Sequence, residues 1–267
     1  MRGKGWEPWK PGLKLPLPGL PRVIAHRGAS AKAPENTLAA FRRAHELGCT
    51  MVELDARLAR DGVLVVIHDS TLDRTTDGHG RVIETDSGRI ATLDAGSWFD
   101  ARFRGEPVPT LEAALDLLAR LGMAVNVELK ADPGEERRTG AEAGRLVERI
   151  WPAEGPPVLL SSFHEEVLAA ARREAPDLPR GLLRERAGPD WREAMERLAC
   201  TTLHLGRTHL DESTLRELYR EAVPVLVFTV DDPAEARRLF DLGVRAVFSD
   251  VPDVIAPNAP PLPHAWS

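Results

Sequence analysis

From Val23 to Phe248 the chain alternates short apolar runs with amphipathic stretches, and this alternation restricts the fold more than any other feature. Runs at 23–25, 51–54, 63–67, 124–129, 158–161, 181–183, 202–205, 224–229 and 246–248 have the length of strands. Helical periodicity occupies 37–47, 111–121, 141–150, 165–174, 190–198, 212–221 and 233–242. Such an order predicts βαβ units and a parallel sheet, either doubly wound or closed into a barrel. One run departs from it: no helix fits between Asp55 and Val63, and Asp61-Gly62 is a strong hairpin dipeptide. Pairing outward from a two-residue turn sets Arg60 opposite Val63 and Asp55 opposite His68. The 63–67 run is then an antiparallel return, and eight parallel strands remain, the number of a TIM (β/α)8 barrel.

The stretch from about 70 to 109 breaks the alternation, with clusters of Thr, Asp and Gly followed by Trp98 and Phe99. A structureless loop of that length is unusual in a compact domain. It is therefore expected to be a small insertion after the second barrel strand and its hairpin, lying over the barrel mouth where it can contact substrate. Residues 1–21, with Trp6 and Trp9, form an expected N-terminal extension; 22–255 form the barrel and 256–267 an irregular tail.

With 43% hydrophobic residues the chain can bury a sizeable core, and a net charge of −6 argues against a nucleic-acid partner. No segment approaches the roughly 20 apolar residues of a membrane span, and no signal-peptide run is evident, so stable membrane insertion is not expected. Cys49 and Cys200 form no disulfide or metal pattern, and two buried free thiols suit a reducing cytoplasm.

The chemistry lies where polar side chains end the apolar runs. Desolvating such groups is unfavourable unless partners or ligands satisfy them. Glu53 and Asp55, two residues apart on a strand, share a face, and Glu128 with Lys130 repeats the spacing. Three converging carboxylates repel one another unless a cation lies among them, and hard oxygen donors suit one Mg²⁺ or Ca²⁺. Arg27 offers phosphate a planar fork and Lys130 a point charge; Arg27 also suits a buried partner for a carboxylate. His26 and His68 are the acid–base candidates, since imidazole titrates near neutrality. Pro34-Glu35-Asn36-Thr37 opens the first helix, where capping accounts for Asn36 or Thr37 and leaves Glu35 without a role. His164 and His204 reach the same rim with no assigned part.

Together these residues resemble the glycerophosphodiester phosphodiesterase family. The resemblance runs through His26-Arg27-Gly28, Pro34-Glu35-Asn36-Thr37, Glu53-Leu54-Asp55, Asp61-Gly62, His68-Asp69, Leu72-Asp73-Arg74-Thr75-Thr76, Pro109-Thr110-Leu111-Glu112 and Glu128-Leu129-Lys130. It continues more weakly through Ser162-Phe163, Phe228-Thr229-Val230 and Ser249-Asp250-Val251-Pro252-Asp253. It implies a TIM barrel whose metal is held by Glu53, Asp55 and Glu128, acid–base roles for His26 and His68, and phosphate contacts from Arg27 and Lys130. It further implies hydrolysis of a small phosphodiester, a glycerophosphodiester, to glycerol 3-phosphate and an alcohol. Phe228 stands where many relatives carry tryptophan, a smaller aromatic wall for the substrate, and Ser249 stands where threonine is common.

The expected assignment makes His26 the base and His68 the acid. Two alternatives accompany it: a lysophospholipase D-type activity on longer lipids, for which Trp98, Phe99 and Phe103 are the visible apolar surface, and a non-catalytic barrel that binds a phosphate ligand.

Overall fold

The computed structural model describes residues 19–256 and residue 259. Among them are nine strands: β1 (Val23–Ala25), β2 (Met51–Leu58), β3 (Leu64–Val66), β4 (Ala124–Leu129), β5 (Val158–Ser162), β6 (Arg180–Arg184), β7 (Thr202–Gly206), β8 (Val225–Phe228) and β9 (Ala246–Ser249). Eight pair in parallel in the order β1-β2-β4-β5-β6-β7-β8-β9, and β9 closes on β1 through Val23–Val247, Ile24–Phe248 and Ala25–Ser249. The fold is a TIM barrel. β3 lies antiparallel along the end of β2, beyond the point where β1 stops.

β2 outruns the expected 51–54 because its polar residues belong to the strand. Glu53, Asp55 and Arg57 occupy the inward-facing positions, whereas Val52, Leu54, Ala56 and Leu58 pack beneath the outer helices. Inside the barrel, Ile24, Met51, Ala124, Leu159, Leu226, Ala246 and Phe248 form an apolar floor. One layer higher the interior turns polar, with Glu53 beside Asn126 in the β2–β4 register and His204 on β7. Chemistry at the C-terminal rim thus rests on a rigid hydrophobic base.

The hairpin register differs from the expected one by a residue. Ala56 faces Val66, Ala59 N–H donates to Val63 O at 2.9 Å, and Asp55 stands opposite Ile67, not His68. The loop therefore has three residues, Arg60, Asp61 and Gly62, closed by Gly62 at φ +84°. This is the type I turn plus left-handed residue that a glycine permits. A one-residue slip would turn His68 to the other face if it stayed in the ladder. It does not: β3 ends at Val66, and the His68 carbonyl is taken by Arg57 Nε at 2.7 Å. The side chain reaches the barrel mouth from beyond the sheet.

The seven barrel helices (Leu38–Glu46, Leu111–Arg120, Glu136–Ile150, Glu165–Glu174, Trp191–Leu198, Glu212–Arg220 and Pro233–Asp241) follow the predicted spans. The largest departure is the start of the third, at Glu136 and not 141. Gly140 in its first turns is no break: a Cβ there would collide with the carbonyl oxygen of Val167, so glycine permits close approach to the next helix.

The insertion carries a short helix, Ser87–Ile90, and its own core of Leu72, Val82, Ile90, Leu93, Ala95 and Val108. That core packs against Ala59, Val65 and Ile67 on the outer side of the hairpin. Contrary to expectation, none of its residues lines the cavity over the site; it touches the site through Arg74. The rest of the expected extension, with Trp6 and Trp9, and most of the tail lie outside the described residues. Cys200 is buried and Cys49 only half-buried, both free. No helix among the described residues is long and apolar enough to cross a membrane.

Candidate active site

Glu53, Asp55 and Glu128 each present a carboxylate oxygen within 4.8 Å of the others. The β2–β4 register sets Asp55 directly beside Glu128, and Glu53 lies one inward position lower beside Asn126. All are buried, and among the described residues Glu53 Oε1, Asp55 Oδ1 and Asn126 Oδ1 accept no hydrogen bond. Burial first, and then the neighbouring carboxylates Asp55 and Glu128, push Glu53 well above the usual carboxylate range. Asp55 goes the other way: burial alone would raise it, but Lys130 and Arg27 hold it down. Orphaned, desolvated hard oxygens meet the donor requirement of Mg²⁺ or Ca²⁺.

Two cations flank the cluster. Lys130 Nζ touches Glu128 and lies 3.3 Å from Asp55 Oδ1, and Arg27 Nε lies 3.3 Å from Asp55 Oδ2. Three carboxylates against two cations leave one negative charge. A divalent ion would turn that into one positive charge, matched to a phosphodiester monoanion. Arg27 sits at φ +54°, followed by Gly28 at +81°. This turn lets the Arg27 N–H donate to Glu53 Oε2 at 2.9 Å. A Cβ on Gly28 would lie 2.7 Å from that of Ala40, so only glycine fits there. Glu35 Oε1 accepts from Arg27 Nη1 at 2.8 Å, and both Glu35 oxygens accept from Arg74.

The histidines stand on either side. His26 Nδ1 donates to Asp250 Oδ1 at 2.7 Å, leaving Nε2 3.9 Å from Glu53 Oε2. His68 Nδ1 donates to Asp69 Oδ1, also at 2.7 Å. The carboxylate in each case fixes the tautomer and leaves Nε2 as the reactive nitrogen. Their surroundings differ in charge. Among the described residues Asp250 is not paired with an arginine or lysine, and Glu53 is close by; burial opposes charge on His26, but these carboxylates prevail and raise its pKa above 6.5. Asp69 is already engaged by Arg74, and Arg27 and Lys130 lie near; burial and these cations outweigh Asp55 and lower His68 below 6.5. Both imidazoles, Glu53, Glu128 and the two cations line one cavity, walled opposite by Phe163, Leu183 and Phe228.

Residues 26–254 match the glycerophosphoryl diester phosphodiesterase family. The chain belongs to this family. It is 36% identical over 240 residues to a glycerophosphodiester phosphodiesterase of Caldanaerobacter subterraneus subsp. tengcongensis, covering 87% of this chain and 95% of that protein. A glycerophosphodiester phosphodiesterase of Bacillus subtilis is 32% identical over 252 residues, covering 87% of this chain and 84% of the other. The structure of an Oleispira antarctica phosphodiesterase in complex with the product sn-glycerol-3-phosphate is similar at a TM-score of 0.87 and 38% identity, over 90% of this chain and 96% of that one.

Every residue that sequence reasoning put in the site of this family member lines or adjoins the one cavity: His26, Arg27, Glu53, His68, Glu128, Lys130 and Phe228 line it, and Asp55 lies in the carboxylate cluster. Three partners were missed. Asp250 follows β9, and only barrel closure brings it to His26. Asn126 carried a legible signal, since it precedes Glu128 by two residues on the same face. Asn36 was explained away as a cap, yet Thr37 is the N-cap of the first helix. Asn36 instead stands at φ +59°, donates from Nδ2 to Asp55 Oδ2 at 2.8 Å and accepts from the Asp55 N–H at 3.1 Å. Glu35, left open by the sequence, bridges Arg27 to Arg74. His164 begins the helix Glu165–Glu174 and does not line the cavity. His204 lines the bottom of the cavity, one layer above the apolar floor, with Nε2 2.9 Å from Thr202 Oγ1, and burial pushes its pKa down to about 3.

Replacing Asn36 by alanine strands the buried Asp55 N–H, leaves Asp55 Oδ2 with Arg27 alone, and puts at φ +59° a residue that lacks asparagine's tolerance of the left-handed region. A loss of about 2–4 kcal/mol of unfolding free energy is expected by urea titration, with a smaller loss for Asn36→Gly, which keeps the backbone. Wild-type stability in Asn36→Ala would show that these bonds carry none of it.

Proposed function

We propose that the chain is a metal-dependent phosphoric diester hydrolase that cleaves glycerophosphodiesters to glycerol 3-phosphate and an alcohol. One observation carries this: three buried, converging carboxylates, Glu53 and Asp55 each with an oxygen that accepts no hydrogen bond, sit between two histidines, each held by its own carboxylate and each facing a single cavity. Glu53, Asp55 and Glu128 hold the cation, Mg²⁺ or Ca²⁺, with Asn126 Oδ1 beside them. Bound there, it polarises the phosphoryl oxygens and offsets developing charge. Arg27 and Lys130 neutralise the cluster and present positive charge to the phosphate, and Phe228 forms part of the wall against the substrate.

The charge around each histidine favours the reverse of the expected assignment. His68, kept neutral by its cationic neighbours, accepts the nucleophile's proton at Nε2. His26, kept charged by Asp250 and Glu53, gives its proton to the leaving alkoxide.

Small diesters are favoured over longer lipids because Trp98, Phe99 and Phe103 stack edge-on against one another and none lines the cavity. A passive phosphate-binding barrel has no need of two oriented imidazoles. The unpaired thiols of Cys49 and Cys200 support a cytoplasmic location.

The test is hydrolysis of a glycerophosphodiester panel after EDTA treatment, with metals restored singly. Activity is expected to vanish and to return with Mg²⁺ or Ca²⁺. Full activity in the stripped protein, or ligand binding without turnover under any metal, would refute the reading.

A further inference from the structure

The cavity rim has two unlike halves. The half from β1, β2, β4 and β9 carries the carboxylates, cations and histidines just described. The half from β5 to β8 carries Phe163 just past β5, Leu183 and Glu185 at the end of β6, and Phe228 at the end of β8. Phe163 and Phe228 meet edge to face, with ring centroids 5.7 Å apart at 84°, and Phe163 is 37% exposed.

Glu185 is the anomaly. Its carboxylate lies over Gly206 at the end of β7, where a Cβ would collide with Oε2, so glycine at 206 makes room for it. The ladder pairs Gly206 with Phe228, which sets the carboxylate beside the aromatic wall. Arg184 and Arg186, which flank it in sequence, are engaged with Glu165 and Asp190 and with His209, and Lys130 in the cavity with Glu128 and Asp55. Among the described residues Glu185 makes no ion pair or hydrogen bond. An unpaired carboxylate on that side of the pocket favours a diester that brings a positive charge to it over one that does not. The glycerol common to all these diesters is neutral. A cationic substituent is what the second half accommodates, since an ammonium is attracted both to a carboxylate and to aromatic rings.

We propose that the β5–β8 half of the rim is a head-group subsite selective for a cationic alcohol, with Glu185 as the counter-charge and Phe163 and Phe228 as the aromatic wall. The proposal rests on the glycerophosphodiesterase reading and specifies its leaving alcohol as a choline- or ethanolamine-like ammonium.

The measurement is kcat/KM on glycerophosphocholine divided by kcat/KM on glycerophosphoglycerol, for the metal-loaded wild type, Glu185→Gln, Glu185→Lys and Phe163→Leu. Glu185 is solvent-exposed, so its replacement does not endanger the fold. The ratio is expected to fall about five- to tenfold in Glu185→Gln, mainly through KM on the choline substrate, further in Glu185→Lys, and also in Phe163→Leu. A ratio that stays within twofold of wild type in both Glu185 variants overturns the subsite while the hydrolase stands. Equal losses on the two substrates also overturn it, because Glu185 would then serve the shared glycerol. A wild type inactive on every diester removes the hydrolase reading and the subsite with it.

Discussion

Alanine at His26 or at His68 is expected to lower kcat on glycerophosphocholine by about 10² to 10⁴-fold, the ordinary contribution of a positioned proton donor or acceptor. Both side chains lie at the rim, outside the apolar floor, so the variants should unfold at close to the wild-type temperature. The pH profile carries more than the rate does. His68 is lowered below 6.5 and His26 raised above it. If His68 acts neutral and His26 protonated, wild-type activity rises with pH through the lower value and falls through the higher one, a bell with a broad top at neutrality. His68→Ala should flatten the acid limb of the residual activity, and His26→Ala the alkaline limb. The opposite assignment needs both groups in their disfavoured forms at once and predicts the limbs exchanged. Wild-type rates from both variants would remove the acid–base mechanism altogether.

The fold was legible because a barrel strand is buried on both faces. Its residues form an unbroken apolar run, and the helices between keep a 3.6-residue period. Legibility ended where a single residue's dihedral angle decides. Asp61-Gly62 announced the hairpin, but a two-residue loop needs positive φ at both residues; Gly62 takes it and Asp61 does not, so the loop is three residues long and the register moved under His68. Pattern likewise gave the members of the site and not their partners. Glu53, Asp55 and Glu128 were found through two-residue spacing within single strands. Asp250 is 224 residues from His26, and only closure of β9 on β1 brings them together. Asn36 answered to a familiar local explanation that its neighbour Thr37 satisfies in fact. Glu185 drew no notice because a charged residue after a strand is unremarkable until its lack of a partner is seen.

Glu53→Gln should make the metal-free protein more stable while removing its activity. Glu53 is 2% exposed, its Oε1 has no partner, and burial together with Asp55 and Glu128 raises its pKa above the ordinary 4.5. A carboxyl raised in the folded state binds its proton more tightly there than in the unfolded chain. Its contribution to stability is therefore present at acid pH and is lost as pH climbs from 4.5 through the raised value. At pH 8 a neutral glutamine of the same shape escapes that loss and still accepts the Arg27 N–H. The expected gain is about 0.5–2 kcal/mol, or roughly 2–6 °C in Tm for a chain of this length. Near pH 4 the gain should shrink, because the wild-type carboxyl is then protonated as well. Metal reverses the order. Wild type should gain about 2.7 kcal/mol at a hundredfold excess of Mg²⁺ or Ca²⁺ over Kd, whereas the variant, with one oxygen anion fewer, should respond weakly and turn over little substrate. Thermal unfolding of both proteins at pH 4 and pH 8, with and without metal, decides it. A variant less stable than wild type under every metal-free condition would mean that Glu53 is satisfied by its neighbours, and that the carboxylate cluster needs no cation to hold it together.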